Sequence, residues 1–182
     1  DLLTHEPSII EEKMFAGQNK IGEFGFTSIE LFNQQIREVV AHNPQVGLTL
    51  WELVNRHEEH ASVQYRCSII RGWGMALLDD CRDSILDLLR NLLPKVNQDE
   101  VNAISTFLNM QMDQGKTTIT EKMLQVMSDF ALQLWNEHSG AFTLGNGQQW
   151  ENDPVTCSLN CWPGELAYFW IERIRWRYIH DP

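Results

Sequence analysis

Five times along the chain a Ser, Thr or Asn stands three residues ahead of a Glu: Ser8 and Glu11, Thr27 and Glu30, Thr49 and Glu52, Asn97 and Glu100, Thr118 and Glu121. This is the capping-box spacing, in which the first side chain takes an orphan backbone N–H and the acid reaches back to the N–H of the cap. Apolar residues at helical spacing follow each pair, as in Ile29, Phe32, Ile36 and Val40, or Val101, Ile104, Leu108 and Met112. The pattern predicts five helix starts.

A sixth start is predicted at Trp162-Pro163-Gly164-Glu165, because Pro is tolerated in a first turn where its missing N–H is not needed. That helix runs from Leu166 to His180. Unbroken, Leu50 to Leu93 would form a rod of about 66 Å, against a radius of gyration of about 16 Å for a compact chain of this length. A break is therefore placed at Gly72-Trp73-Gly74, and the expected fold is an all-α, single-domain bundle of about seven helices spanning residues 1–182. The irregular stretch 139–162 is the longest, rich in Gly, Asn and Asp, with room for one small hairpin around Gly145-Asn146-Gly147. Its Phe142, Trp150 and Trp162 favour a loop packed on the bundle.

The 182 residues are one domain's worth, and 43% of them are apolar, enough for one core. A formal charge of −11 repels phosphate backbones and anionic lipid heads at long range, so nucleic acid and membrane surfaces are disfavoured as partners. No apolar run approaches the roughly 18 residues needed to cross a bilayer, and no signal-like segment opens the chain. Beginning at Asp1 without Met, the sequence reads as a processed product or a piece of something larger, expected to behave as a soluble protein. Cys67, Cys81, Cys157 and Cys161 are too few and too irregular for a disulfide scaffold, and no Asn-x-Ser/Thr sequon occurs. Reduced thiols and an intracellular compartment are the expectation.

Catalytic motifs are hard to find. Gly115-Lys116-Thr117 resembles the end of a phosphate-binding loop, but Met110 stands where that loop needs its first glycine and a helix precedes it. Gly22-Glu23-Phe24-Gly25 and Gly145-Asn146-Gly147 lack the strand and helix of dinucleotide fingerprints and read as turns. No Gly-x-Ser-x-Gly elbow is present. His57 and His60 share the apolar face of Leu50, Leu53, Val54 and Ala61, and could carry a bundle-core metal in an enzyme or sensor. Glu59 projects away, however, and Glu137 with His138 is the only other candidate, so a hydrogen-bonded core network is preferred and no cofactor or metal is expected. A secreted, cytokine-like bundle is the remaining alternative, suggested by chain length and four cysteines.

Charge is distributed unevenly. Asp79, Asp83 and Asp87, with Asp80 and Arg90 on their side, lie opposite Leu78, Ile85, Leu89 and Leu92 and read as a solvated face. The last helix runs basic and aromatic instead. Arg173, Arg177 and His180 fall near one line, bordered by Phe169, Trp176 and Trp170, with Ala167, Ile171, Ile174 and Tyr178 as the expected core arc beside it. A basic stripe among aromatics suits an acidic or phosphorylated segment. The sequence thus predicts a non-catalytic interaction or scaffold domain with a protein partner, whose binding residues are Arg173, Arg177, His180, Trp170 and Trp176.

Overall fold

The computed structural model describes residues 28–56, 60–78, 81–114, 119–141 and 161–180. Seven α-helices and two short 3-10 turns account for nearly all of them, with no strand among the described residues, so the chain is an all-α helical bundle protein. Contacts divide it into two compact units, Asp1–Cys81 and Arg82–Pro182. No described helix is long and apolar enough to cross a membrane.

The first unit holds α1 (Ser28–His42), α2 (Pro44–Val54) and α3 (His60–Met75). On α1 the helical period buries Ile36 and Val40 completely, as their spacing predicts. The next helix starts earlier than its capping box suggests. Pro44 occupies its first turn after Asn43, and Thr49 and Glu52 lie exposed in its interior. Pro at that position costs nothing, because the N–H it lacks would have no intrahelical partner. A turn at Asn55 and Arg56 ends α2, and this is where the long predicted rod is interrupted.

The break expected at Gly72-Trp73-Gly74 is not there. Helix α3 runs through all three residues to Met75 and gives way only at Ala76 to Leu78. Gly72 is a contact residue, not a breaker. A Cβ on Gly72 would lie 2.7 Å from Val40 Cβ and 2.9 Å from the Arg37 carbonyl oxygen of α1. Likewise, a Cβ on Gly47 of α2 would collide with Trp73 Nε1. Bare backbone at two positions lets three helices close around Trp73, whose Nε1 donates to the Pro44 carbonyl oxygen at 3.0 Å and whose ring rests on Trp51. Ser68 Oγ donates to Asn33 Oδ1 (3.0 Å), fastening α3 to α1.

The second unit holds α4 (Arg82–Leu92), a 3-10 turn (Leu93–Lys95), α5 (Gln98–Gln114), α6 (Glu121–His138), a second 3-10 turn (Ser139–Ala141) and α7 (Trp162–His180). The predicted box at the head of α5 forms completely. Asn97 Oδ1 accepts from the N–H groups of Asp99 and Glu100, while Glu100 Oε2 accepts from Asn97 N–H at 3.0 Å. Behind it Val101, Ile104, Leu108 and Met112 are all buried. The cap of α6 is Thr120, which accepts from Met123 N–H; the expected Thr118 lies outside the described residues. The starts at Ser8 and Thr27, and the hairpin near Gly145, also lie outside them.

On α4 the acidic face is as expected where it is described. Asp83 and Asp87 are exposed, and Ile85 and Leu89 are fully buried on the other side. Arg82 is buried and donates to Met123 Sδ (3.3 Å), while Arg90 pairs with Asp87 (3.0 Å) and lies over the Phe130 ring. These contacts anchor α4 on α6.

Candidate functional site

Helix α7 begins one residue after a bend at Cys161, whose carbonyl oxygen accepts from Glu165 N–H at 3.0 Å. It packs chiefly on α5 and less extensively on α6. Trp162, Leu166 and Phe169 form its buried face, and Trp162 meets Trp135 of α6 with ring centroids 5.6 Å apart. Asn109 Nδ2 of α5 donates to Glu165 Oε2 at 2.6 Å, fixing the rotation of α7 about its axis. Glu172 continues the buried face with only 6% exposure.

That rotation overturns the predicted core arc. Ala167 is exposed, and Ile171, Ile174 and Tyr178 are 59%, 66% and 79% exposed. They stand at successive spacings of four, three and four residues, on the side of the helix away from Leu166 and Phe169. The helix is apolar on two sides. Hydropathy alone favours the stripe that contains no charge, whereas packing on α5 uses the one that includes Glu172 and borders Arg173.

The five predicted binding residues separate accordingly. Trp170, Arg173 and Trp176 are half-buried, whereas Arg177 and His180 are exposed. Arg173 holds its guanidinium 5.4 Å from the centre of the Trp170 ring, and Trp170 meets Phe169 edge to face. His180 stacks on Trp176 at 4.2 Å, its Nδ1 donating to the Trp176 carbonyl oxygen at 2.8 Å. Arg175, which the sequence reading passed over, is exposed and contacts Glu172 at 3.5 Å; the i, i+3 spacing was the signal for that pair. Arg177 reaches Glu121 at 4.0 Å with both side chains more than half exposed, a pairing that water weakens to a fraction of a kcal/mol, on the order of 0–1. Arg175 and Arg177 flank the exposed apolar stripe.

Elsewhere in this unit an open groove of about 420 Å³ separates α4 from α6, with Leu86 and Val126 among its apolar lining. Its charges are mixed in sign, Asp83 and Asp87 standing with Arg90 and Lys122. Of the predicted metal candidates, His57 and the side chain of His60 lie outside the described residues. Glu137 accepts from Gln133 within α6 at 2.8 Å, and His138 Nε2 donates to the Leu93 carbonyl oxygen at 3.0 Å, tying the end of α6 to the 3-10 turn. No cluster of three or more His, Cys, Asp or Glu able to hold a metal occurs among the described residues. Cys67 and Cys81 are buried and Cys161 is half-buried, while Cys157 lies outside the described residues. In comparisons with protein-family models, curated proteins and solved structures, nothing matches this chain.

Proposed function

We propose that the chain is a non-catalytic interaction domain whose last helix receives an acidic, amphipathic segment of a partner protein. The observation that carries this reading is the stripe of Ile171, Ile174 and Tyr178 on α7, left in water although the opposite face of the same helix is packed. Large side chains in an exposed row keep an unfavourable contact with water that a partner's apolar surface would remove, roughly 25 cal/mol for each Å² covered. Tyr and Arg are also the residue types that tend to dominate interface energies.

Charge selects the occupant. A second copy would set its own Arg175 and Arg177 beside this stripe and add another net charge of −11. An acidic segment meets two arginines that remain more than half exposed beside their own partners, Glu172 at 3.5 Å and Glu121 at 4.0 Å, so guanidinium N–H groups are left over for a docked carboxylate, while the chain's more distant carboxylates are screened over about 8 Å at physiological salt. Such a segment would lay leucines on the stripe and glutamates beside the arginines, in the manner of a helix docking through anchors one turn apart.

A titration with a synthetic amphipathic helix carrying Leu on one face and Glu on its flanks tests this. Micromolar binding is expected, weakened at least tenfold by Ile171→Glu/Ile174→Glu and by exchanging the flanking Glu for Lys. Equal affinity for the Glu-flanked and Lys-flanked peptides, or for wild type and double variant, would overturn the reading, and so would absence of binding.

A further inference from the structure

Helices α6 and α7 run antiparallel, and two contacts mark the ends of their pairing: the Trp135 and Trp162 rings, 5.6 Å apart, and Arg177 with Glu121 at 4.0 Å. Nearly equal lengths of helix lie between these contacts, so Asp129 of α6 stands level with Tyr168 of α7. On this scale the charge beside the exposed row changes sign along its length. At the Tyr178 end stand Arg175 and Arg177 of α7 and Lys122 of α6, against Glu172 and Glu121. Towards the Trp162 end stand Glu165, Asp129 and Glu137, and neither helix carries a cation from Trp162 to Glu172 or from Met123 to Glu137. Those three acids accept from the neutral amides of Asn109, Gln125 and Gln133, which leave their charge uncancelled. Arg173, seven residues after Leu166, lies on the packed side with its guanidinium over Trp170.

We infer that the docking segment is a helix of about three turns that lies antiparallel to α7, with acids in its first turn against Arg175 and Arg177 and a Lys or Arg in its last turn near Asp129. The inference rests on the docking reading above and adds the partner's length and direction. Length follows from the apolar surface. Tyr168, one turn before Ile171, and Ile179, beside Tyr178, are 43% and 62% exposed, so the surface runs about 16 Å along α7, which three turns of helix cover. Direction follows from charge. The partner's acids belong at the last turn of α7, and a helix carries acids most favourably in its own first turn, where unpaired N–H groups hold partial positive charge. A parallel helix would bring acids to the arginines only in its last turn, beside its own unpaired carbonyl oxygens, which repel them. Antiparallel packing also sets the positive start of the partner against the negative end of α7.

Two peptides of the same composition, each held helical by a side-chain cross-link and carrying one apolar face of Leu, test this on the full chain. One has Glu in its first turn and Lys in its last; the other has them exchanged. Each carries a nitroxide at its N-terminus, and ¹H–¹⁵N NMR reads which backbone amides it broadens. The first peptide should broaden Tyr178 and His180 and spare Ala167 and Tyr168. The exchanged peptide should turn round, broaden the opposite end, and bind about threefold more weakly because its dipole then opposes that of α7. In Arg175→Gln/Arg177→Gln, where both altered side chains are exposed, the first peptide should broaden both ends alike. Broadening by the first peptide at the Ala167 end, or at both ends of the wild-type row, overturns the direction. Equal or tighter binding of the exchanged peptide overturns the placing of acids in the first turn. If neither peptide binds, the docking reading fails and the inference falls with it, whereas binding in the wrong direction overturns the inference alone.

Discussion

Trp73→Ala is expected to destabilise the first unit by about 3–5 kcal/mol, the range found for removing a large aromatic from a packed interior. Trp73 is wholly buried, and three helices are built around it. Gly47 of α2 lies against its ring edge, Trp51 covers one side at a centroid distance of 5.6 Å, and Pro44 accepts its N–H. Alanine would leave a cavity that these neighbours cannot fill without moving backbone, and it would free the Pro44 carbonyl oxygen, which costs about a further 1 kcal/mol of hydrogen bonding. Urea unfolding followed by circular dichroism measures the effect. Trp73→Phe, which keeps most of the volume and loses the N–H, should fall between wild type and alanine. A loss below about 1 kcal/mol for the alanine variant would mean that Trp73 does not organise this unit.

The second large effect has a sign that separates local from tertiary control. Gly72 lies inside a helix, where Gly→Ala normally stabilises by about 1 kcal/mol. Here the added methyl would meet Val40 Cβ at 2.7 Å and the Arg37 carbonyl oxygen at 2.9 Å. A backbone oxygen cannot rotate away as a side chain can, so α1 and α3 must separate by a few tenths of an ångström or more along their whole crossing. Overpacking of this kind costs about 1–3 kcal/mol, occasionally more. Gly72→Ala should therefore destabilise, and Gly72→Leu should prevent the two helices from packing at all. A rise in the urea midpoint of Gly72→Ala would show that the close crossing is absent.

These two residues also show where sequence reasoning stopped short. The glycines at 72 and 74 were legible as exceptional and the role of Gly72 was not, because a glycine that breaks a helix and one that lets a second helix approach leave the same letter in the chain. The box at Asn97 and Glu100 was legible in full, since its two partners are three residues apart and need nothing from the rest of the fold. The α2 start was missed because Thr49 and Glu52 match the box by letter, whereas Asn43-Pro44 does the work through a missing N–H. For α7 the basic and aromatic character was visible and the rotation was not. Asn109 and Glu165, 56 positions apart, set that rotation, and no local pattern reports it.

The docking surface depends most on one property of α7, that its outward row of Ile171, Ile174 and Tyr178 takes no part in the chain's own packing. Thermal unfolding of Ile171→Glu/Ile174→Glu against wild type tests this without any partner present. The introduced carboxylates would stand one turn from Arg175 and Arg177 and be exposed to water, so the midpoint should stay within about 2 °C of wild type, while Phe169→Ala on the buried face should lose about 3–5 kcal/mol, roughly 6–20 °C for a chain of this length. A fall of the double variant by as much as Phe169→Ala would show that the row is covered by the protein itself, and the docking surface would not exist.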